Sequence, residues 1–445
     1  MFDALRSTWA LFLGLGLLML GNGLQGTLIS IRAQFEVFDN TTTGLIIGGY
    51  FFGFFLGSTV VPKLVGRVGH VRVFGALAAL SSVVILVFPV FVEPALWIVM
   101  RVTTGFCYAG LYIVVESWLN DKAGNENRGQ LLAIYMLVTS VGMGVGPLLL
   151  NIHSAADFQL FTLVSALVSL AAIPVLISAA KTPDFDAPAT LSLLKLYKIS
   201  PLGLVGMLLQ GIAAGALIGM GPVYVYQFGL TVADASYFMS GLFVGAFVMT
   251  FPLGRLSDRF DRRTVIAGTA AALAAVALGG TLLGGETRLP VLLIGVASGG
   301  LLFPMYSMCI AHTNDFLQPN QMVAASATLV MANGLGAMVG PSLAGFAMDT
   351  IGPAGFFLSI ASSVGLIVVF ALWRMTQRSA VPLEDQGHFV PMTTSSMGVA
   401  LNPEAEYEEY GFTVVSDADA DEALETRVDA EDEDDPFTGP DSRTP

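Results

Sequence analysis

Gly142-Met-Gly-Val-Gly146-Pro147 recurs 194 residues further on as Gly336-Ala-Met-Val-Gly340-Pro341. Each copy lies in an apolar run, 129–150 and 322–346, long enough to cross a bilayer as a helix of about 20 residues. The landmarks around the two copies repeat as well. Asn120-Asp121 and Asn314-Asp315 are also 194 apart, and Arg67 answers to Arg259 at 192. Twelve such runs lie between residues 8 and 375, and six separate one copy from the other. An even number of crossings gives both copies the same orientation. The expected fold is therefore an all-α membrane protein of 12 transmembrane helices in two parallel six-helix repeats about an axis along the membrane normal. The runs are continuous rather than alternating, which favours helices over a barrel.

Composition agrees with this. Of 445 residues, 54% are hydrophobic and 12% charged, with a mean hydropathy of +0.72. A soluble domain is about one-quarter charged. The two cysteines, Cys107 and Cys309, sit in apolar runs and read as packing residues, not a disulfide framework. The net charge of −14 belongs to the C-terminal end, since residues 377–445 hold 18 acids and 3 bases. It carries no information about nucleic acid, and no nucleic-acid partner is expected. A disordered acidic tail over 379–445 fits its polarity, and a docking tail for a partner is the sharper alternative.

Lysine and arginine in the short loops set the orientation. With the N-terminus inside, fifteen basic residues fall on the cytoplasmic side and three, Arg32, Arg101 and Arg288, on the outer side. Both termini are expected in the cytoplasm of an inner-membrane protein. Residues 1–180 form the first six-helix bundle, 181–199 a cytoplasmic linker, and 200–378 the second bundle. Removing the chain after about 385 is expected to leave folding and transport nearly intact.

Gly254-Arg-Leu-Ser-Asp258-Arg259-Phe-Asp261-Arg262-Arg263 resembles the loop motif of the major facilitator superfamily, with Asp261 where the second Gly would stand. The first-half copy is degenerate, with Pro62 at the first Gly and Gly66 at the Asp, followed by Arg67, Gly69 and His70. Arg101-Val-Thr-Thr-Gly105 resembles the family's fourth-span motif. Glu116-Ser-Trp-Leu-Asn120, Pro304-Met-Tyr306 and His312-Thr-Asn314-Asp315 are similar to its YcaD-like branch. The resemblance covers residues 5–378. It implies the family fold, a cavity lined by spans 1, 4, 7 and 10, and alternating access. It also implies that Asp258 with Arg259 or Arg262 latches one state, with a weaker latch at Arg67, where the acid is missing. The Gly142, Gly146, Pro147 and Gly336, Gly340, Pro341 sets read as close helix packing and bending. An exporter signature is the family-based alternative.

Polar residues at membrane depth are costly and mark sites. Span 1 carries Asn22, Gln25 and Arg32, span 7 Gln210, span 10 Tyr306 and span 11 Asn333. In span 4, Arg101, Gly105, Tyr108, Tyr112 and Glu116 fall within about an 80° arc at the helical period. Arg101 and Glu116 are about 22 Å apart along such a helix, so each needs its own partner. Arg101 with Arg32 points to an anionic substrate group, and the tyrosines to a ring. The competing reading has Arg101 and Glu116 reaching the two interfaces from the span ends. Glu116 and Asp315 are candidates for coupling or gating. His70, His153 and His388 fall in loops or the tail and read as solvated.

No metal spacing, phosphate loop or nucleophile set is visible, so no cofactor, metal or enzyme activity is expected. The leading function is secondary transport of a small organic solute, with export slightly favoured. Proton coupling stands open beside a facilitated-diffusion uniporter or a transport-dead sensor signalling through its tail. The expected partners are the lipid bilayer and the solute, with the chain acting as a monomer.

Overall fold

The computed structural model describes residues 2–123, 128–177, 191–282 and 288–392. Among them there are helices and no strands. The first half comprises α1 (Phe2–Phe35), α2 (Asn40–Val68), α3 (His70–Val87), α4 (Pro94–Lys122), α5 (Arg128–Val145) and α6 (Gln159–Ile177). A short helix, α7 (Leu193–Ile199), precedes the second half. That half comprises α8 (Pro201–Gln227), α9 (Val232–Ser257), α10 (Arg262–Thr281), α11 (Arg288–Asn314), α12 (Met322–Ile351) and α13 (Ala354–Gln377). All but α7 belong to segments long and apolar enough to span a bilayer, twelve in number. The chain is a multi-pass membrane protein. An even number of crossings puts both ends of the bundle on one side, here called the terminal face; the opposite side is the far face.

The repeat is written into the packing. A Cβ at Gly53 of α2 would strike the Val102 carbonyl of α4, and one at Gly245 of α9 would strike the Val296 carbonyl of α11. These pairs are 192 and 194 residues apart, like the sequence landmarks. Both seams bring backbone onto backbone, which only glycine permits.

The repeated Gly-Pro motif serves one location and two conformations. Gly142 and Gly146 lie against Met19, Leu20 and Gly23 of α1, and Gly336 and Gly340 against Leu208, Gly211 and Ile212 of α8. Pro341 stays inside the continuous α12, whereas α5 ends at Val145 and gives way to a 3₁₀ segment, Gly146–Asn151. A proline removes one backbone donor, and here the first-half copy resolves the loss by tightening the helix.

The halves meet along α2 and α12. A Cβ at Gly44 would strike Pro341, one at Gly48 Met338, and one at Gly345 the Asn40 carbonyl. Polar contacts close the far face. Ser30 donates to the Gly219 carbonyl at 2.9 Å, Gln227 donates to Gln34 and Asn40 at 2.8 and 2.7 Å, and Asn151 donates to Ser236 at 2.8 Å.

The tail departs from its expected beginning. Residues 379–392 are described, and 386–392 pack on the bundle, with Met392 buried. Their backbone groups find partners in the α9–α10 loop and α11, which the sequence pattern gave no reason to expect. The expectation of disorder for 393–445, and most of the linker, lie outside the described residues.

Candidate functional site

Gly105 of α4 lets α2 approach until a Cβ there would meet the Tyr50 carbonyl. That approach sets Tyr50 beside Arg101, whose Cζ lies 4.5 Å from the ring centroid. The Tyr50 ring stands 6.2 Å from that of Tyr108, and Tyr108 stands 5.9 Å from Tyr112. The Tyr112 hydroxyl accepts from Asn22 Nδ2 at 2.8 Å. Arg101, Tyr108, Tyr112 and Asn22 thus form one polar and aromatic chain between α1, α2 and α4, with Tyr50 as the member that sequence reasoning missed.

This chain is buried, and parts of it are unsatisfied. Arg101 is 3% exposed, and Gln25 and Tyr108 are fully buried. Nε and Nη1 of Arg101, both amide atoms of Gln25 and the Tyr108 hydroxyl have no hydrogen-bond partner. Arg101 therefore does not reach an interface. A guanidinium at membrane depth costs about 2.5–3.5 kcal/mol on insertion scales, and a cation–π contact offsets only about 2 kcal/mol of this when desolvated.

One turn beyond Tyr112, Glu116 is fully buried and accepts from the Tyr135 hydroxyl of α5. Tyr306 of α11, in the other half, lies within electrostatic reach of Glu116 and Tyr135. Glu116, like Arg101, stays inside the bundle.

Other expected site residues are placed elsewhere. Arg32 pairs with Glu36 at 2.5 Å and donates to the Ala156 carbonyl, so its charge is taken up by the far-face loop, apart from Arg101. Asn333 donates to Gln210, and Gln210 donates to the Leu302 carbonyl at 3.2 Å; this pair ties α8, α11 and α12 together. His70 is no solvated loop residue. It is 2% exposed, bonds Ser117 at 2.9 Å and stacks on Trp118. It begins α3 and is held where the repeat places Arg262 in the second half.

The loop motif forms a compact cluster on the terminal face. Arg262, 1% exposed, donates to Asp315 at 2.7 Å and to Asp258 at 3.4 Å. Arg263 donates to Asp261 at 3.0 Å. Arg67 and Arg259 are exposed. Of Arg259 and Arg262 it is Arg262 that reaches Asp258, and Asp315 with it. At the far face Asp349 of α12 meets the start of α2, a role its place at a helix end did not reveal. Among the described residues no group of three His, Cys, Asp or Glu side chains is set to hold a metal.

A sequence model of the Major Facilitator Superfamily matches residues 11–240 and, in a second overlapping match, 203–403. The uncharacterized MFS-type transporter YcaD of Escherichia fergusonii is 27% identical over 381 residues, spanning 85% of this chain and 98% of that protein. YcaD of Escherichia coli O6:K15:H31 is 27% identical over 382 residues, with the same coverage. Among solved structures, a bacterial homolog of the human lysosomal transporter Spinster, inward-facing and occupied, superposes with a TM-score of 0.69 at 15% identity. That match covers 86% of this chain and 98% of the other. The nucleoside transporter NupG gives 0.69 at 13% identity, over 84% and 99%. These two likenesses show the shared fold.

Proposed function

The chain belongs to the major facilitator superfamily and serves membrane transport, and from that premise we propose that it moves a small organic solute carrying an anionic group by alternating access. The observation that carries the anionic group is Arg101. Its guanidinium is buried over the Tyr50 ring, at one end of the aromatic chain that runs through Tyr108 and Tyr112 to Asn22, with two nitrogens unpartnered. A buried cation gains most from a charge-assisted partner, and a carboxylate or similar anion supplies one. Gln25 and Tyr108 add unsatisfied polar atoms in the same half. The tyrosines offer faces for a ring.

Glu116 supports proton coupling in this reading. It is a fully buried acid one turn from Tyr112, bonded to Tyr135 and within electrostatic reach of Tyr306 of the other half. A carboxyl there senses both the solute and the arrangement of the halves. The fifteen-to-three bias of basic residues puts the terminal face in the cytoplasm of the inner membrane. Export is slightly favoured as the direction, on the family analogy of the Gly-Pro motif of α5, whose glycines also serve packing on α1.

Counterflow into proteoliposomes with a panel of carboxylates and their neutral amides tests this. Saturable exchange of a carboxylate but not of its amide is expected. Exchange of neutral solutes alone would sink the anionic reading, and no exchange of any solute would favour the sensor. Exchange that is unaffected by a pH gradient and by Glu116→Gln would identify a uniporter.

A further inference from the structure

Beyond α13 the chain turns back onto the bundle. Arg263 donates to the carbonyls of Arg378 and Ser379 at 2.7 and 3.1 Å, and a 3₁₀ turn follows at Leu383–Asp385. From there a short extended strap engages three helices. The Gly387 carbonyl accepts from Arg262, and the Gly387 N–H donates to Asp315 at 3.2 Å. The Phe389 N–H donates to Asp258 at 2.8 Å, and the Met392 N–H donates to Ser307 at 3.0 Å. Ser307 lies seven residues before the end of α11, so the strap reaches about 10 Å down that helix.

Two side chains anchor it. A Cβ at Gly254 would land in the Phe389 ring, so the first residue of the loop motif doubles as a seat for that ring. Met392 is 4% exposed. Elsewhere the fit is open. A cavity of about 230 Å³ lies between the strap and α11, lined among others by Arg262, Asn314, Asp315, His388 and Met392. Four backbone hydrogen bonds and two apolar anchors, with a cavity beside them where side chains do not interlock, make a contact built to dock and release, unlike the close-packed seams within each half.

The seat exists once. In the first half Pro62 and Gly66 stand where Gly254 and Asp258 stand in the second, so both the ring seat and the acid are missing. The strap also consumes part of the loop motif itself, since the Asp258 oxygen that accepts from Arg262 accepts from Phe389 as well. The far face is shut in this structure, and alternation requires the terminal ends of the two halves to rearrange.

Building on the alternating-access reading, we propose that residues 386–392 are an intramolecular peptide ligand of the α9–α10 loop. Docked, they hold the second half in the far-closed state; the loop motif changes partners only when the strap leaves. The device is an autoinhibitory clamp.

Ile47 is 3% exposed and packs on Gly219 in the far-face seal, so a thiol there reports opening of that face. Labelling of full-length Ile47→Cys protein by an impermeant maleimide, corrected for the chain without this substitution, sets the baseline. Removing 393–445 should leave the rate unchanged. Removing 387–445 should raise it about fivefold, the factor matching loss of one net hydrogen bond. Phe389→Asp in the full chain should do the same. A Ser307→Cys/Met392→Cys pair should form a disulfide on mild oxidation and slow labelling below baseline until reduced. Equal rates for the two truncations, or failure of that disulfide to form, overturn the proposal. Asp349→Asn is the control for alternation. If it speeds labelling and strap removal does not, the clamp fails and alternation stands; if neither does, alternating access itself fails.

Discussion

The carboxylate of Asp349, at the end of α12, accepts from both the backbone N–H and the hydroxyl of Thr41, at 2.8 and 2.6 Å. It also accepts from the Asn40 N–H at 3.1 Å, while Asp39 accepts from the Thr42 N–H at 2.7 Å. The free donors at the start of α2 are thus shared between an acid of its own half and an acid of the other. A helix N-terminus attracts negative charge, so the contact is a cap that also fastens the two halves. Asp349→Ala removes one fastener of the far face while leaving the cap from Asp39. Because the site is exposed, its loss should cost about 1 kcal/mol, a roughly fivefold shift toward the far-open state. Double electron–electron resonance between spin labels on α2 and α12 at that face would record it, and an unchanged distance distribution would exclude the fastening role.

Arg101→Ala should abolish solute exchange without loss of folded protein. The wild-type chain already bears the cost of a buried cation, so the variant should melt at the same temperature or higher. Arg101→Lys keeps the charge but not the two-pronged donor geometry, and should retain less than about a tenth of wild-type exchange. Exchange assays beside thermal unfolding in detergent separate these outcomes. A variant that melts lower and exchanges normally would assign Arg101 to packing.

Tyr135→Phe deletes the donor that Glu116 accepts from without changing ring volume. The buried carboxyl then has one hydrogen-bond partner fewer. Solute exchange driven by a pH gradient should change its pH optimum in this variant, and Glu116→Gln should uncouple it. Exchange between equal pH values should persist in both. An unaltered pH profile in Tyr135→Phe would detach the pair from coupling.

The two glycine seams give a stability contrast. Gly53→Ala and Gly245→Ala each drive a methyl group into a backbone carbonyl, and should destabilise by about 1–3 kcal/mol. Gly365, inside α13, has nothing within 4 Å of an added Cβ, so Gly365→Ala should be neutral or stabilising by up to about 1 kcal/mol. Unfolding midpoints of the three variants check the ordering.

The twelve spans and the repeat were legible because each span must be about 20 apolar residues long, and a duplicated sequence keeps its landmarks in register. The α4 stripe was legible because Arg101, Tyr108, Tyr112 and Glu116 share one helix and hence one period. Partners from other helices were not. Tyr50 and Tyr135 are single tyrosines in apolar or small-residue surroundings, and nothing in their own neighbourhoods says that they face Arg101 and Glu116. His70 looked like a loop residue because it follows Gly69, yet it opens a helix and turns inward onto Trp118. The strap was least visible of all. Its contacts are made largely by backbone N–H and C=O groups, which every residue carries and no composition reveals.

The differing fates of Pro147 and Pro341 bear on how the two copies came to do different work. A 3₁₀ segment rises about 2.0 Å per residue against 1.5 Å in an α-helix, so the six residues Gly146–Asn151 extend about 3 Å further than an α-helical continuation would. That extra length ends at Asn151, whose amide meets Ser236 across the divide. One member of a duplicated pair has thus been lengthened without inserting a residue. Inheritance could keep the register of the repeat intact while the first copy was stretched locally beyond its proline and the second stayed a straight helix that runs on to Ile351.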